Sequence, residues 1–144
     1  MAGGLAVAVA LFEEPGRRRV LAVRRPEEPG EELPGVWGLP AATVGPGETP
    51  DDAVRRLGRQ KLGLTLEPER LLREGSQVRE DGLLSMMLFA ARALDWPPRL
   101  QRPEDPGGVT YYTDWTWAEP EALAPAAEQG SLCSRLFLQA VGRA

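Results

Sequence analysis

Between Gly47 and Leu64 the chain spells out a loop, a capped helix and a stop, and this stretch limits the fold more than any other. Thr49 carries a hydroxyl suited to capping a first turn, and Pro50 suits the first helical position. Asp51 and Asp52 then set negative charge against the positive end of the helix dipole. At the far end Gly63 can take the left-handed conformation that closes a helix, with Arg59 and Lys61 near the carbonyl end. One helix from Pro50 to the residue before Gly63 is therefore predicted. Gly58 in its middle costs about 1 kcal/mol relative to Ala, which points to close backbone packing. Leu57 lies four and three residues beyond Ala53 and Val54, a stripe that points to the core. Three- and four-residue spacing also predicts that Leu57, Gln60 and Lys61 share a face.

The rest of the chain alternates strands and turns. Residues 5–12 and 19–25 are β-like, and Glu13-Glu14-Pro15-Gly16-Arg17 between them forms turns, so a hairpin is expected. Its second strand ends on Arg24 and Arg25, which alternate in direction, so at most one points inward. Prolines and acids make 26–35 a loop, and 36–40 is extended. Strands are expected at 71–79, 83–94 and 109–117, the second of them buried by its continuous apolarity. Prolines at 97, 98, 103 and 106 make 95–108 a loop. A final helix is expected from about Ser131 to Val141, with Leu132, Leu136, Leu138 and Val141 packing.

Composition removes several function classes. With 144 residues the chain fits one domain over 1–144, large enough for one core. A net charge of −4 gives no basic field for nonspecific nucleic-acid binding. No histidine is present, which excludes Ser-His-Asp, Cys-His and His-metal chemistry within this chain. The lone Cys133 excludes an internal disulfide and suits a buried place in a reducing cytoplasm. The apolar run from Gly3 to Phe12 is too short for a membrane span and lacks a basic leader, so it reads as a strand. One lysine among 17 basic residues, with many prolines, is the composition of a GC-rich, heat-adapted source.

With Trp37-Gly38-Leu39-Pro40-Ala41 just upstream, the 47–64 stretch resembles the Nudix box, written in that family as G-x5-E-x7-R-E-U-x-E-E-x-G-U. Glu48 and Arg56 fall on the first Glu and the Arg, and Gly63-Leu64 on the closing pair. Ala42 stands where the box begins with Gly, Leu57 at the Glu after Arg, Gly58 at the apolar position, and Gln60-Lys61 at the Glu-Glu pair. The resemblance implies an α+β fold, a mixed β-sheet sandwiched between α-helices. It also implies hydrolysis of a nucleoside-diphosphate linkage, with Mg2+ or Mn2+ neutralising phosphate charge and activating water. Hard cations want oxygen ligands. Leu57 supplies none, Gln60 one neutral carbonyl, and Lys61 a positive charge, so no metal is expected at the usual position and degenerate chemistry follows.

Three functions stay open at this point. The chain binds a nucleoside-diphosphate ligand with weak or no pyrophosphohydrolase activity; or it is an active hydrolase with a relocated Mg2+/Mn2+ site drawn from Glu48, Asp51, Asp52, Glu104 and Asp105; or it is a protein-interaction module. Arg56 has the family's anchoring role toward Glu48. Arg24 or Arg25 could meet phosphate, Gln60 and Lys61 face the same place, and Trp37 is placed to stack a base. Lys61 has a sharper reading, an ammonium paired directly with a diphosphate, beside the bland one of a solvated residue near a helix end. The resemblance leaves homodimerisation open.

Overall fold

The computed structural model describes residues 2–13, 19–25, 35–80, 82–100 and 111–142. Among the described residues the strands are β1 (Ala2–Leu11), β2 (Val20–Arg24), β3 (Trp37–Gly38), β4 (Ala41–Thr43), β5 (Leu66–Arg79), β6 (Gly82–Ala93) and β7 (Asp114–Ala118). The helices are α1 (Pro50–Leu57), α2 (Ala124–Glu128) and α3 (Leu132–Ala140). A four-stranded mixed sheet runs β4-β1-β6-β5, parallel between β1 and β6, and a three-stranded antiparallel sheet runs β3-β2-β7.

Strand β1 explains why helices cover both faces. Successive side chains point to opposite sides of a sheet. Val7, Val9 and Leu11 enter one cluster with Ala53, Val54 and Leu57 of α1. Ala6, Ala8 and Ala10 enter another with Leu132, Leu136 and Phe137 of α3. A strand buried on both faces needs apolar residues throughout, as the opening run has. The α+β sandwich expected from the sequence is the fold observed.

Several elements differ from the sequence reading: β5 begins at Leu66 instead of 71, and the strand expected at 109–117 is β7 from Asp114, with residues 111–113 outside it. The first two strands pair antiparallel only at one end, through the Phe12–Val20 bridge and the Glu13 N–H donating to the Arg19 carbonyl at 3.0 Å, and then part into different sheets, so the expected hairpin does not extend along them. The helix stops being α-helical at Leu57 and continues as one π turn over Gly58–Leu62. A side chain at Gly58 would come within 2.7 Å of both the Leu64 carbonyl oxygen and Leu66 Cγ, so this glycine permits the close approach its position suggested. Gly63 ends the turn at φ 63°, and its N–H donates to the Gly58 carbonyl. Thr49 caps the start, its hydroxyl accepting from the Asp52 N–H at 3.1 Å. Among the described residues no helix is long and apolar enough to cross a membrane.

At the outer edge of β7, Trp115 and Trp117 meet Trp96. The Trp96 and Trp117 rings stack 5.0 Å apart at 14°, and Trp115 stands edge-on to both.

Candidate functional site

The loop before α1 places Glu48 beside Arg56. Arg56 Nε donates to Glu48 Oε2 at 2.8 Å and Nη2 to Oε1 at 2.9 Å, and the Gly45 N–H donates to Oε1 at 2.9 Å. This bonding, the guanidinium first and the backbone amide second, holds the Glu48 carboxyl at a pKa of about 2, against an ordinary value of 4.5. The same pair raises the pKa of Arg56. Arg56 also donates to the Thr43 carbonyl at 2.5 Å and to Gln60 Oε1 at 3.3 Å. It thus ties loop, strand β4 and helix together, the anchoring role that the resemblance implies.

The face expected to carry Leu57, Gln60 and Lys61 is split. Leu57 is fully buried, Gln60 is exposed, and Lys61 is half-buried. The π turn begins between Leu57 and Gln60 and widens the helical repeat, which breaks the three-and-four spacing. Lys61 is also not the solvated residue of the bland reading. Its Nζ donates to the Ala41 carbonyl at 2.8 Å and lies 5.5 Å from the Tyr112 ring centroid. The Tyr112 hydroxyl accepts from the Ala41 N–H at 3.0 Å and donates to the Ala41 carbonyl at 3.3 Å. Ala41, Lys61 and Tyr112 therefore form one knot joining β4, the helix end and the approach to β7.

Tyr112 also lines an open groove with Arg25, Gly38, Leu39, Ser131 and Cys133. The two strand-end arginines divide as alternation requires. Arg24 donates to Asp114 at 2.6 Å and lies 5.2 Å from the Trp37 ring centroid, while Arg25 borders the groove. Trp37 is thus a cation–π partner of Arg24. Asp51 and Asp52 are exposed in the first turn of α1, with Asp52 bonded to Arg55 at 3.3 Å. Glu104 and Asp105 lie outside the described residues. Sequence reasoning missed Tyr112 and the place of Ser131 and Cys133, at the start of α3, in the groove. Tyr112 was visible only as one aromatic in an alternating run, because its contact with Ala41 spans 71 positions.

The residues present do not fit a divalent cation at the box. Both Glu48 oxygens already accept from Arg56, Gln60 Oε1 accepts from the same guanidinium, Leu57 is in the core, and Lys61 is cationic. Among the described residues no three of the types His, Cys, Asp and Glu are placed together so that they could hold a metal ion.

Comparison with known proteins places this geometry. A family model described as NUDIX domain matches residues 3–139. No curated protein matches. Among solved structures, the MutT protein of Methanosarcina mazei Go1 is 18% identical with a TM-score of 0.73, over 97% of this chain and 94% of that one. A C. elegans Ap4A hydrolase, solved as a binary complex, is 17% identical with a TM-score of 0.68, over 96% and 95%. The NUDIX domain of Shewanella oneidensis NrtR, solved with ADP ribose, is 20% identical with a TM-score of 0.65, over 99% and 89%. At these identities the likeness is one of fold.

Proposed function

Since this chain belongs to the NUDIX domain family, we propose that it binds a nucleoside-diphosphate-linked ligand and hydrolyses it weakly or not at all. One observation carries the reading: of the box's own acidic positions only Glu48 still holds an acid, while Leu57 at the Glu after Arg is buried in the core and Lys61 in the Glu-Glu pair is a cation. Fold alone does not carry activity, so the chemistry has to come from the site. Without a positioned general base the expected loss of rate is about a hundred- to ten-thousand-fold from that source alone. Binding asks for less. The groove sets Arg25 beside Tyr112 and a largely apolar wall of Val23, Val36 and Leu39, a guanidinium suited to meet phosphate. Trp37, between the lining residues Val36 and Gly38, lies against Arg24 at 5.2 Å. Two structural neighbours supply the ligand class: one is an Ap4A hydrolase and the other was solved with ADP ribose.

The test has two arms on purified protein. Thermal melts with ADP-ribose, ADP and dinucleoside polyphosphates should show a rise in Tm for at least one, since a ligand of the native state stabilises by mass action. Product analysis with the same compounds in Mg2+ and in Mn2+ should show little or no turnover. Turnover that disappears on Glu48→Gln would overturn the noncatalytic reading, and no Tm shift with any compound would favour the protein-interaction module.

A further inference from the structure

We propose that the open face of the Trp96 ring stacks the nucleobase of the bound ligand, an assignment that rests on the ligand-binding reading above and names the group that recognises the base. Trp96 lies nearly parallel to Trp117, at 14° with centroids 5.0 Å apart, and Trp115 stands edge-on to both at 5.3 and 6.4 Å. Trp117 thus backs one face of the Trp96 ring, and Trp96 is still 44% exposed. A planar ring laid on the open side continues the stack, and every base has such a face. Trp37, the ring expected from the sequence to stack a base, has the Arg24 guanidinium over it at 5.2 Å.

The Trp96 ring is held in place before any ligand arrives. Thr65 fixes the turn that carries it: the Thr65 N–H donates to Asp95 Oδ1 at 2.8 Å, the hydroxyl donates to Oδ2 at 3.0 Å, and the carbonyl accepts from the Leu94 N–H at 2.9 Å. Further on, the Arg99 N–H donates to the Leu62 carbonyl at 2.6 Å, which docks the loop on the π turn. A preorganised ring loses little freedom on binding. The cluster also adjoins the groove. Trp115 is the cross-strand partner of Val23, a lining residue, and both pack in the α1 cluster. Directly opposed side chains lie about 5 Å apart, so with the further step from Trp115 to Trp96 the platform stands on the order of 10 Å from the groove wall, within one nucleotide's length. The open area suits a small ligand. It is on the order of 100 Å2 for a tryptophan of this exposure, against about 800 Å2 from each partner in a stable protein interface.

Isothermal titration and tryptophan emission, each with ADP-ribose and with ADP, test this. Wild-type emission should fall on binding, because a base stacked on an indole quenches it. Trp96→Leu, apolar but without a flat ring, should weaken binding by about fivefold to a hundredfold, the loss of one stacked base. Trp96→Phe keeps a ring and most of the affinity, but its emission should respond to ligand far less than that of wild type. Wild-type binding with no fall in emission, an equal fall in Trp96→Phe, or a Trp96→Leu protein of unchanged thermal melt that binds as wild type would each overturn the proposal and leave the ligand-binding reading standing. Should Trp96→Leu fail to fold, the emission of Trp96→Phe decides. Absence of wild-type binding to both compounds would sink that reading and the stacking with it.

Discussion

Arg56 grips both carboxylate oxygens of Glu48, through Nε at 2.8 Å and Nη2 at 2.9 Å, from a position eight residues further along the chain. The pair is mostly shielded, with side-chain exposures of 26% and 18%. Because the same guanidinium reaches the Thr43 carbonyl, the loop ahead of α1 cannot shift without breaking a charged contact. An acidic residue so engaged serves architecture, and its chemistry is available only if that architecture opens.

A pH titration of stability reads this directly. Glu48 has a folded pKa of about 2, below its ordinary 4.5, so the native state resists protonation more than the unfolded chain does. A depressed acid contributes stability that is fully present above the unfolded value and is lost as pH falls through the folded one. The urea midpoint of wild type should therefore exceed that of Glu48→Gln above pH 4.5, and the gap should close between pH 4.5 and about 2. Glu67, depressed by Arg55, shifts in the same direction but is common to both proteins. A gap that stays constant with pH would show that Glu48 is not held as an ion.

Gly58→Ala tests the close approach at the π turn. In an open helix the change is favourable by about 1 kcal/mol. Here the new methyl would stand 2.7 Å from the Leu64 carbonyl oxygen, which is backbone and cannot rotate aside. Overpacking of this kind costs about 1–3 kcal/mol, so the expected outcome is a lower urea midpoint. A higher one would show that residues 58 and 64 are not in contact.

Local signals in the sequence were read well where their causes are local. The Thr49 cap, the Gly63 stop and the crowding at Gly58 depend on near neighbours in the chain, and each is found. Short runs of continuous apolarity likewise pointed to strands where β1 and β6 lie. Pairing was harder, since which strand lies beside which is decided by contacts far apart in sequence. The expected hairpin closes only at its end for this reason: beyond Phe12–Val20, β1 finds β6 and β4, whereas β2 finds β7 and β3. The site shows the same division. Arg56 with Glu48 was implied by the resemblance to the Nudix box, while Lys61 on Ala41 and Tyr112 required knowing where β4 and residue 112 meet the helix end.

Restoring the family's Glu at position 57 should fail structurally. Leu57 is fully buried and packs in the α1 cluster. Leu57→Glu removes that packing and introduces a carboxylate among apolar side chains, at a cost of more than about 3 kcal/mol. That is a large share of the roughly 5–15 kcal/mol typical of a whole domain. Poor soluble yield or a strongly lowered Tm is expected. A stable Leu57→Glu protein would mean that this side chain can swing out toward the groove.

The other two box positions offer a gentler reconstruction. Gln60 is exposed and Lys61 half-buried, so the double variant Gln60→Glu/Lys61→Glu adds two carboxylates without cutting into the core. It also removes the ammonium from the Ala41 carbonyl, exchanging a cation for acceptors at that point. Magnesium is commonly held by one or two carboxylates together with substrate phosphates. The double variant should therefore bind Mn2+ weakly when alone and more tightly with ADP-ribose present, as followed by electron paramagnetic resonance of the free ion. Its ADP-ribose affinity should become dependent on metal. Equal Mn2+ uptake by wild type and variant would show that charge at residues 60 and 61 does not decide whether a cation is admitted.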